Sequence, residues 1–116
     1  MPIWRVAAIE DQPEVEITAW RIMQTEAGTR HFVGRDPRDY SGRVSSAIQE
    51  FDVVALVGRT RSGRVYKLCG PSGFDSNAEY VWNRWCHINR VQSSEDVTKA
   101  ALAVQESPAQ EVGNGA

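Results

Sequence analysis

Apolar and polar positions are most sharply patterned between Gly42 and Cys69. Within that stretch Val53-Val54-Ala55-Leu56-Val57 is the most apolar run of five in the chain, and it predicts a central strand continuing to Thr60. Ser62-Gly63 then reads as the two-residue loop of a hairpin, where glycine supplies a positive φ at little steric cost. The returning strand is Arg64 to Cys69. Upstream, Val44 to Phe51 reads as a strand on its serines and β-branched residues, or as a two-turn helix over Ser45 to Phe51. Asp52 marks a turn or bulge between the two.

The flanks supply further strands. Ile3 to Ile9 suits a first strand, ended by Glu10-Asp11-Gln12-Pro13. From Val15 to Thr25 the apolar side switches partway. Val15, Ile17 and Ala19 share one parity, and Trp20 and Ile22 take the other. A strand that changes face predicts either a bulge or burial of both faces in its second half, although Ala19 to Met23 also suits a helix. Ala27-Gly28-Thr29 reads as a turn, Arg30 to Gly34 as a short returning strand, and Arg35 to Gly42 as a charged loop. Gly70-Pro71-Ser72-Gly73 ends the sheet.

One segment has helical periodicity. Ser76 to Asn89 places Ala78, Val81, Trp82, Trp85, Cys86 and Ile88 within an arc of about 160°, with Asp75 or Ser76 as the cap and Glu79 near the positive end. Two buried indoles would each remove about 150–250 Å² from water, making this contact the largest block of core energy. Residues 94–104 read as a second helix capped by Ser93 to Asp96, or as an edge strand at Glu95 to Thr98. The expected fold is α+β: an antiparallel sheet of five or six strands with the Trp82/Trp85 helix on one face. Residues 1–104 form a single domain, and 105–116 have the composition of a disordered tail.

Composition narrows the function classes. No apolar run approaches the ~20 residues of a membrane span, and the N-terminus lacks the basic start and long apolar stretch of a signal peptide. The expectation is a cytoplasmic protein without membrane contact, whose Cys69 and Cys86 are reduced thiols. The net charge of −2 is unevenly spread: residues 28–92 hold ten cations against six acids, and both ends are acidic. Arg59, Arg61, Arg64 and Lys67 follow one another with no acid between them.

That basic hairpin is the first candidate site. With Tyr66 among its cations, it could contact phosphates and stack on bases; the same cations would also discourage edge-to-edge aggregation. The polar face of the helix is the second, with Tyr80, Arg84 and His87 presented outward and Tyr40 in the charged loop. Exposed tyrosine beside arginine is a composition found at protein-interaction hot spots. Cys86-His87 invites a nucleophile–base reading, but adjacent helical residues point about 100° apart and cannot pair with each other. Glu79, Asn83 and His87 form a row with no third strong metal ligand. Gly70 to Gly73 matches neither a phosphate loop nor a nucleophile elbow. No catalytic residue, metal or cofactor is therefore assigned.

Several motifs occur in order: Gly42-Arg43-Val44-Ser45-Ser46-Ala47-Ile48, Ser62-Gly63-Arg64-Val65-Tyr66 with Leu68 and Gly70, Tyr80-Val81-Trp82-Asn83-Arg84-Trp85, and Asp96-Val97-Thr98. In this combination the chain resembles small uncharacterised proteins of proteobacterial mobile elements over about residues 1–100. The resemblance implies a plasmid or phage accessory protein and transfers no catalytic residues. The leading expectation is a small non-enzymatic binding protein acting on a protein partner. The alternative is nucleic-acid binding through the hairpin 59–67. A second alternative is a small enzyme with a site dispersed over residues such as His31, Asp52, Cys69 and His87.

Overall fold

A computed structural model describes residues 14–103. The predicted strand at Ile3 to Ile9 and the tail 105–116 lie outside the described residues. The elements are β1 (Glu14–Thr25), β2 (Arg30–Arg35), β3 (Gly42–Val44), β4 (Ile48–Asp52), β5 (Val57–Thr60), β6 (Val65–Leu68), α1 (Ser76–Ile88), β7 (Ser94–Asp96) and α2 (Thr98–Ala103). The fold is α+β. Among the described residues seven strands form one sheet in the order β3-β2-β1-β6-β5-β4, with β7 also on β1. All pairings are antiparallel except β1 with β6.

The face switch read in β1 is a bulge. Its register against β2 shifts between Thr18 and Arg21, and Ala19 sits at φ 48° in the left-handed region. That conformation costs a non-glycine residue about 1–2 kcal/mol. It is held by its neighbours: Trp20 Nε1 donates to the Gly70 carbonyl at 2.9 Å, and Gly73 N donates to the Trp20 carbonyl at 2.9 Å. The inserted residue resets the parity, so Val15, Ile17, Trp20 and Ile22 all enter one core. Up to Ile17 β1 pairs with β6; from Thr18 it pairs with β2, and from Met23 with β7 as well.

The sheet is thereby folded into two halves that face each other. Phe32 of β2 joins them: its ring centroid lies 5.5 Å from Phe51 of β4 and 5.7 Å from Tyr66 of β6. Gly58 of β5 backs against the same ring, where an added Cβ would come within 2.4 Å of Phe32 Cζ. Val97 and Ala101, at the α2 end, complete this inner core.

The second half of β1 also buries its outer face. Met23 and Val33 pack against Ala78 and Trp82 of α1, with Val44, Trp85 and Cys86 around them. Asp75 caps α1 by accepting Ala78 N–H at 2.9 Å, and Glu79 lies in its first turn. The helix comes so close to β3 that a Cβ on Gly42 would lie 2.4 Å from the Asn77 carbonyl oxygen and 2.8 Å from Ala78 Cα. The molecule is thus layered as half-sheet, half-sheet, helix.

Three expectations are corrected. The run Val53 to Val57 is not a central strand: residues 53–56 form a turn, and Val54 is 75% exposed. Asp52 overrides the apolar pattern, because its Oδ1 accepts the N–H groups of Val54 and Ala55, both at 3.0 Å. Val44 to Phe51 is neither one strand nor a helix. Buried Ser45 breaks it by accepting Phe32 N–H with its Oγ and donating to the Ser46 carbonyl. Ile88 is 67% exposed and not part of the core beneath α1. At the C-terminal end both open readings occur in sequence: β7 pairs with β1, and Asp96 then accepts Thr98 N–H at 2.9 Å to start α2.

Both close approaches are testable. Gly42→Ala and Gly58→Ala should each cost about 1–3 kcal/mol by overpacking, read as a lower denaturation midpoint. Gly42→Ala meets backbone, which no rotamer change relieves. An unchanged midpoint for that variant would mean that α1 is not seated against β3 as described.

Candidate functional site

Strand parity dismantles the basic hairpin as a single surface. Residues 64, 66 and 68 share the inner face, so Arg64 is 8% exposed and Tyr66 3% exposed. Tyr66 receives a side-chain hydrogen bond from Arg64, and burial pushes its hydroxyl above the ordinary tyrosine value. Neither residue is presented for phosphates or bases. Arg59 and Lys67 do face outward, but Arg59 Nη2 lies 2.7 Å from Glu50 and Lys67 Nζ 3.9 Å from Glu14. With Glu16 and Asp52 also exposed, that outer face holds four acids against two cations. Arg61 is exposed at the hairpin tip. Its amide donates to the Ala47 carbonyl at 2.8 Å, seating the tip on the β3–β4 link.

A different set of residues converges around the N-terminal end of α1. Tyr40, Phe74 and Tyr80 are exposed, and each ring lies under a guanidinium. Arg35 sits 5.3 Å from the Tyr40 centroid, Arg21 5.5 Å from that of Phe74, and Arg84 5.9 Å from that of Tyr80. Ion pairs tie two of the three stacks to α1 and its cap. Arg35 Nη1 reaches Asp75 at 3.3 Å, and Arg21 Nη2 pairs with Glu79. Asn77 Nδ2 donates to the Tyr40 carbonyl at 2.9 Å, and Arg84 Nη1 to the Tyr80 hydroxyl at 3.2 Å.

The loop holding Tyr40 is itself built on a carboxylate. Asp36 is buried and accepts the Arg38 amide at 2.9 Å and its Nη2 at 2.8 Å. The Arg38 hydrogen bonds, with Arg43 nearby, hold the Asp36 carboxyl below its usual value. Depressions of about 360 and 440 Å³ flank Phe74 on its two sides. Further along α1, Arg84 and Ile88 continue the Tyr80 row at four-residue steps, with exposed His87 beside them.

The sequence signalled Tyr40, Tyr80, Arg84 and His87 but missed Arg21, Arg35 and Phe74. A signal for Phe74 existed. It directly precedes the capping Asp75, where an apolar residue normally packs on the fourth helical position, and that position is Glu79.

The dispersed-enzyme residues do not converge. Among the described residues no hydrogen bond or ion pair joins any two of His31, Asp52, Cys69 and His87, and no group of three or more His, Cys, Asp or Glu is placed to hold a metal ion. Asp52 is occupied in its turn, and His87 is exposed on α1. Cys69 and Cys86 are unpaired with each other, and burial raises both thiols, opposite to what an activated nucleophile needs. No described helix is long and apolar enough to cross a membrane.

His31 is enclosed beneath α1. Its ring centroid lies 4.5 Å from Trp85 and 5.9 Å from Trp82, and the two indoles are stacked at 5.2 Å and 10°. Nδ1 lies 2.9 Å from the Ser45 carbonyl, which can only accept, so Nδ1 bears the proton. Nε2 then accepts from the Thr29 hydroxyl at 2.9 Å, and Thr29 in turn contacts Thr25 at 2.8 Å. Burial is the main cause that lowers the His31 pKa; the Ser45 carbonyl opposes it.

No family model matches the chain, and neither a curated protein nor a solved structure is significantly similar to it.

The neutral imidazole has a measurable consequence. His31 titrates below its ordinary 6.5 in the fold, so the unfolded chain binds its proton first on acidification. Its contribution is fully present above pH 6.5 and is lost as pH falls below that value towards the lowered folded pKa. Denaturation midpoints of the wild type should drop through that window, and His31→Gln should flatten the drop. Parallel pH profiles for the two proteins would contradict the enclosed neutral ring.

Proposed function

We propose that this chain is a small non-enzymatic binding protein, a mobile-element accessory factor that acts through protein–protein contacts. Its contact surface is the aromatic–arginine patch at α1. The observation that carries this reading is the connected set Tyr40–Arg35–Asp75 and Phe74–Arg21–Glu79, continued by Tyr80–Arg84. Large rings are exposed there, and each is already held by a guanidinium. Such a surface loses little side-chain entropy on association, and its composition is that of interaction hot spots. Arg84 keeps donors for an acceptor on the partner, since among the described residues its hydrogen bond is to Tyr80 alone. The accessory-factor part rests on the resemblance of the sequence motifs to small mobile-element proteins.

Nucleic-acid binding through residues 59–67 has less support. A site that neutralises phosphates needs cations without competing carboxylates, and here Arg59 and Lys67 face Glu50 and Glu14.

Affinity isolation from a host extract tests the proposal. The wild type should recover a protein partner, and Phe74→Ala with Tyr80→Ala should lose it, each truncation costing about 2 kcal/mol or some thirtyfold in affinity. Arg59→Ala with Lys67→Ala should retain it. Identical recovery by the patch variant, or nothing above background with the wild type, would overturn the reading. In a separate assay, no retention on single- or double-stranded DNA or RNA is expected at low salt. Salt-sensitive retention abolished by Arg61→Ala would favour the hairpin instead.

A further inference from the structure

Among the described residues the inner core is open at one end, and an arginine stands there. On β2, Arg30 and Phe32 share the inner face, since Phe32 packs within the inter-sheet core and residues two apart point the same way. Directly across the ladder, Gln24 of β1 pairs with Arg30. Its Oε1 accepts from Arg30 Nε at 2.8 Å, which leaves the two Nη groups for other acceptors. Among the described residues no carboxylate lies within ion-pair distance of Arg30. Most other arginines near the sheet have one: Arg21, Arg35, Arg38, Arg43 and Arg59 are all paired.

Beside this guanidinium is a cavity of about 320 Å³ whose apolar wall is Ile22, Ala47, Ile48, Phe51 and Ala101. These residues come from β1, the β3–β4 link, β4 and α2, so the cavity lies where the two half-sheets part. Gly28 and Thr29 complete its rim, and the Thr29 hydroxyl is engaged elsewhere, with His31 and Thr25. Its size falls at the lower end of the ~300–1,000 Å³ common for small-molecule sites. The arrangement is an apolar slot with one planar cation at its mouth, and a guanidinium fork matches a carboxylate bidentately.

We propose that this end of the inter-sheet core binds a small apolar carboxylate, its chain against Ile22, Ile48 and Ala101 and its carboxylate on the Nη groups of Arg30. The site is separate from the α1 patch and does not depend on it.

Methyl NMR of the full chain titrated with sodium octanoate tests this. Saturable shifts are expected at Ile22, Ala47, Ile48 and Ala101 and not at Val81 or Ile88 on α1. Affinity should fall about fourfold for each methylene removed from the probe. Octanamide, which has the same chain without the charge, should bind at least tenfold more weakly. Arg30→Gln should weaken octanoate by a similar factor and leave octanamide unchanged. Ala101→Leu, which narrows the cavity, should abolish both. The octanoate–octanamide comparison on the unaltered protein decides the matter even if Arg30→Gln does not fold. Absence of saturable shifts at millimolar octanoate would overturn the proposal, as would equal affinity for the two probes. So would movement of resonances from residues 104–116 on making Arg30→Gln without ligand, which would make the end of this chain the occupant.

Discussion

One residue of positive φ in the middle of β1 governs the architecture. A strand running straight from Glu14 to Thr25 would put Val15 and Ile17 on the face opposite Trp20 and Ile22, exposing half of its apolar mass. The extra residue at Ala19 brings all four into one core and bends the strand enough to serve two half-sheets. Its conformation is unfavourable in isolation, and the bonds from Trp20 Nε1 to Gly70 and from Gly73 to Trp20 fix it in place. The loop that locks the bend is also the loop that delivers Phe74 to the surface. Fold and candidate contact surface therefore share one fastening.

Folding the sheet on itself decides which faces remain for partners. The inner faces pack on each other around Phe32 and Tyr66, and α1 covers the outer face of one half. Among the described residues two broad surfaces are left. The outer face of the β4-β5-β6 half alternates acids and cations, the mixed charge that keeps an exposed sheet from pairing with another. The outer side of α1 and its approach loop instead hold rings under guanidinium groups, two of which are tied down by ion pairs. The first surface has the mixed charge of a solvated sheet face, and the second has the composition of interaction hot spots.

What was legible in the sequence was local. The hairpin at Ser62-Gly63, the bulge in β1 and the limits of α1 all rest on signals within a few residues: turn glycine, side-chain parity and a capping aspartate. At residues 53–56 the apolar pattern misleads, because the two hydrogen bonds that Asp52 offers its followers outweigh it. The burial of Arg64 and Tyr66 was available from parity once Leu68 is placed inside, since the three residues alternate together. The parallel pairing of β1 with β6 and the approach of Arg21 to Phe74 join positions some fifty residues apart, and no window along the chain contains both. Those long-range contacts are also what assemble the candidate surface, so Tyr40 and the Tyr80–Arg84–His87 row are visible in the sequence and Arg21, Arg35 and Phe74 are not.

The stacked pair Trp82–Trp85 has an optical meaning as well as a structural one. Two indoles nearly parallel at 5.2 Å couple their electronic transitions, so the pair should give near-ultraviolet circular dichroism that isolated tryptophans do not. Trp82 is packed against the sheet, Trp85 is partly open to water, and an imidazole lies against both. Any event that lifts α1, changes the charge on that ring or covers the open edge of Trp85 is written into the protein's own spectrum. The molecule contains a reporter of its helix–sheet seam and needs no label to be watched.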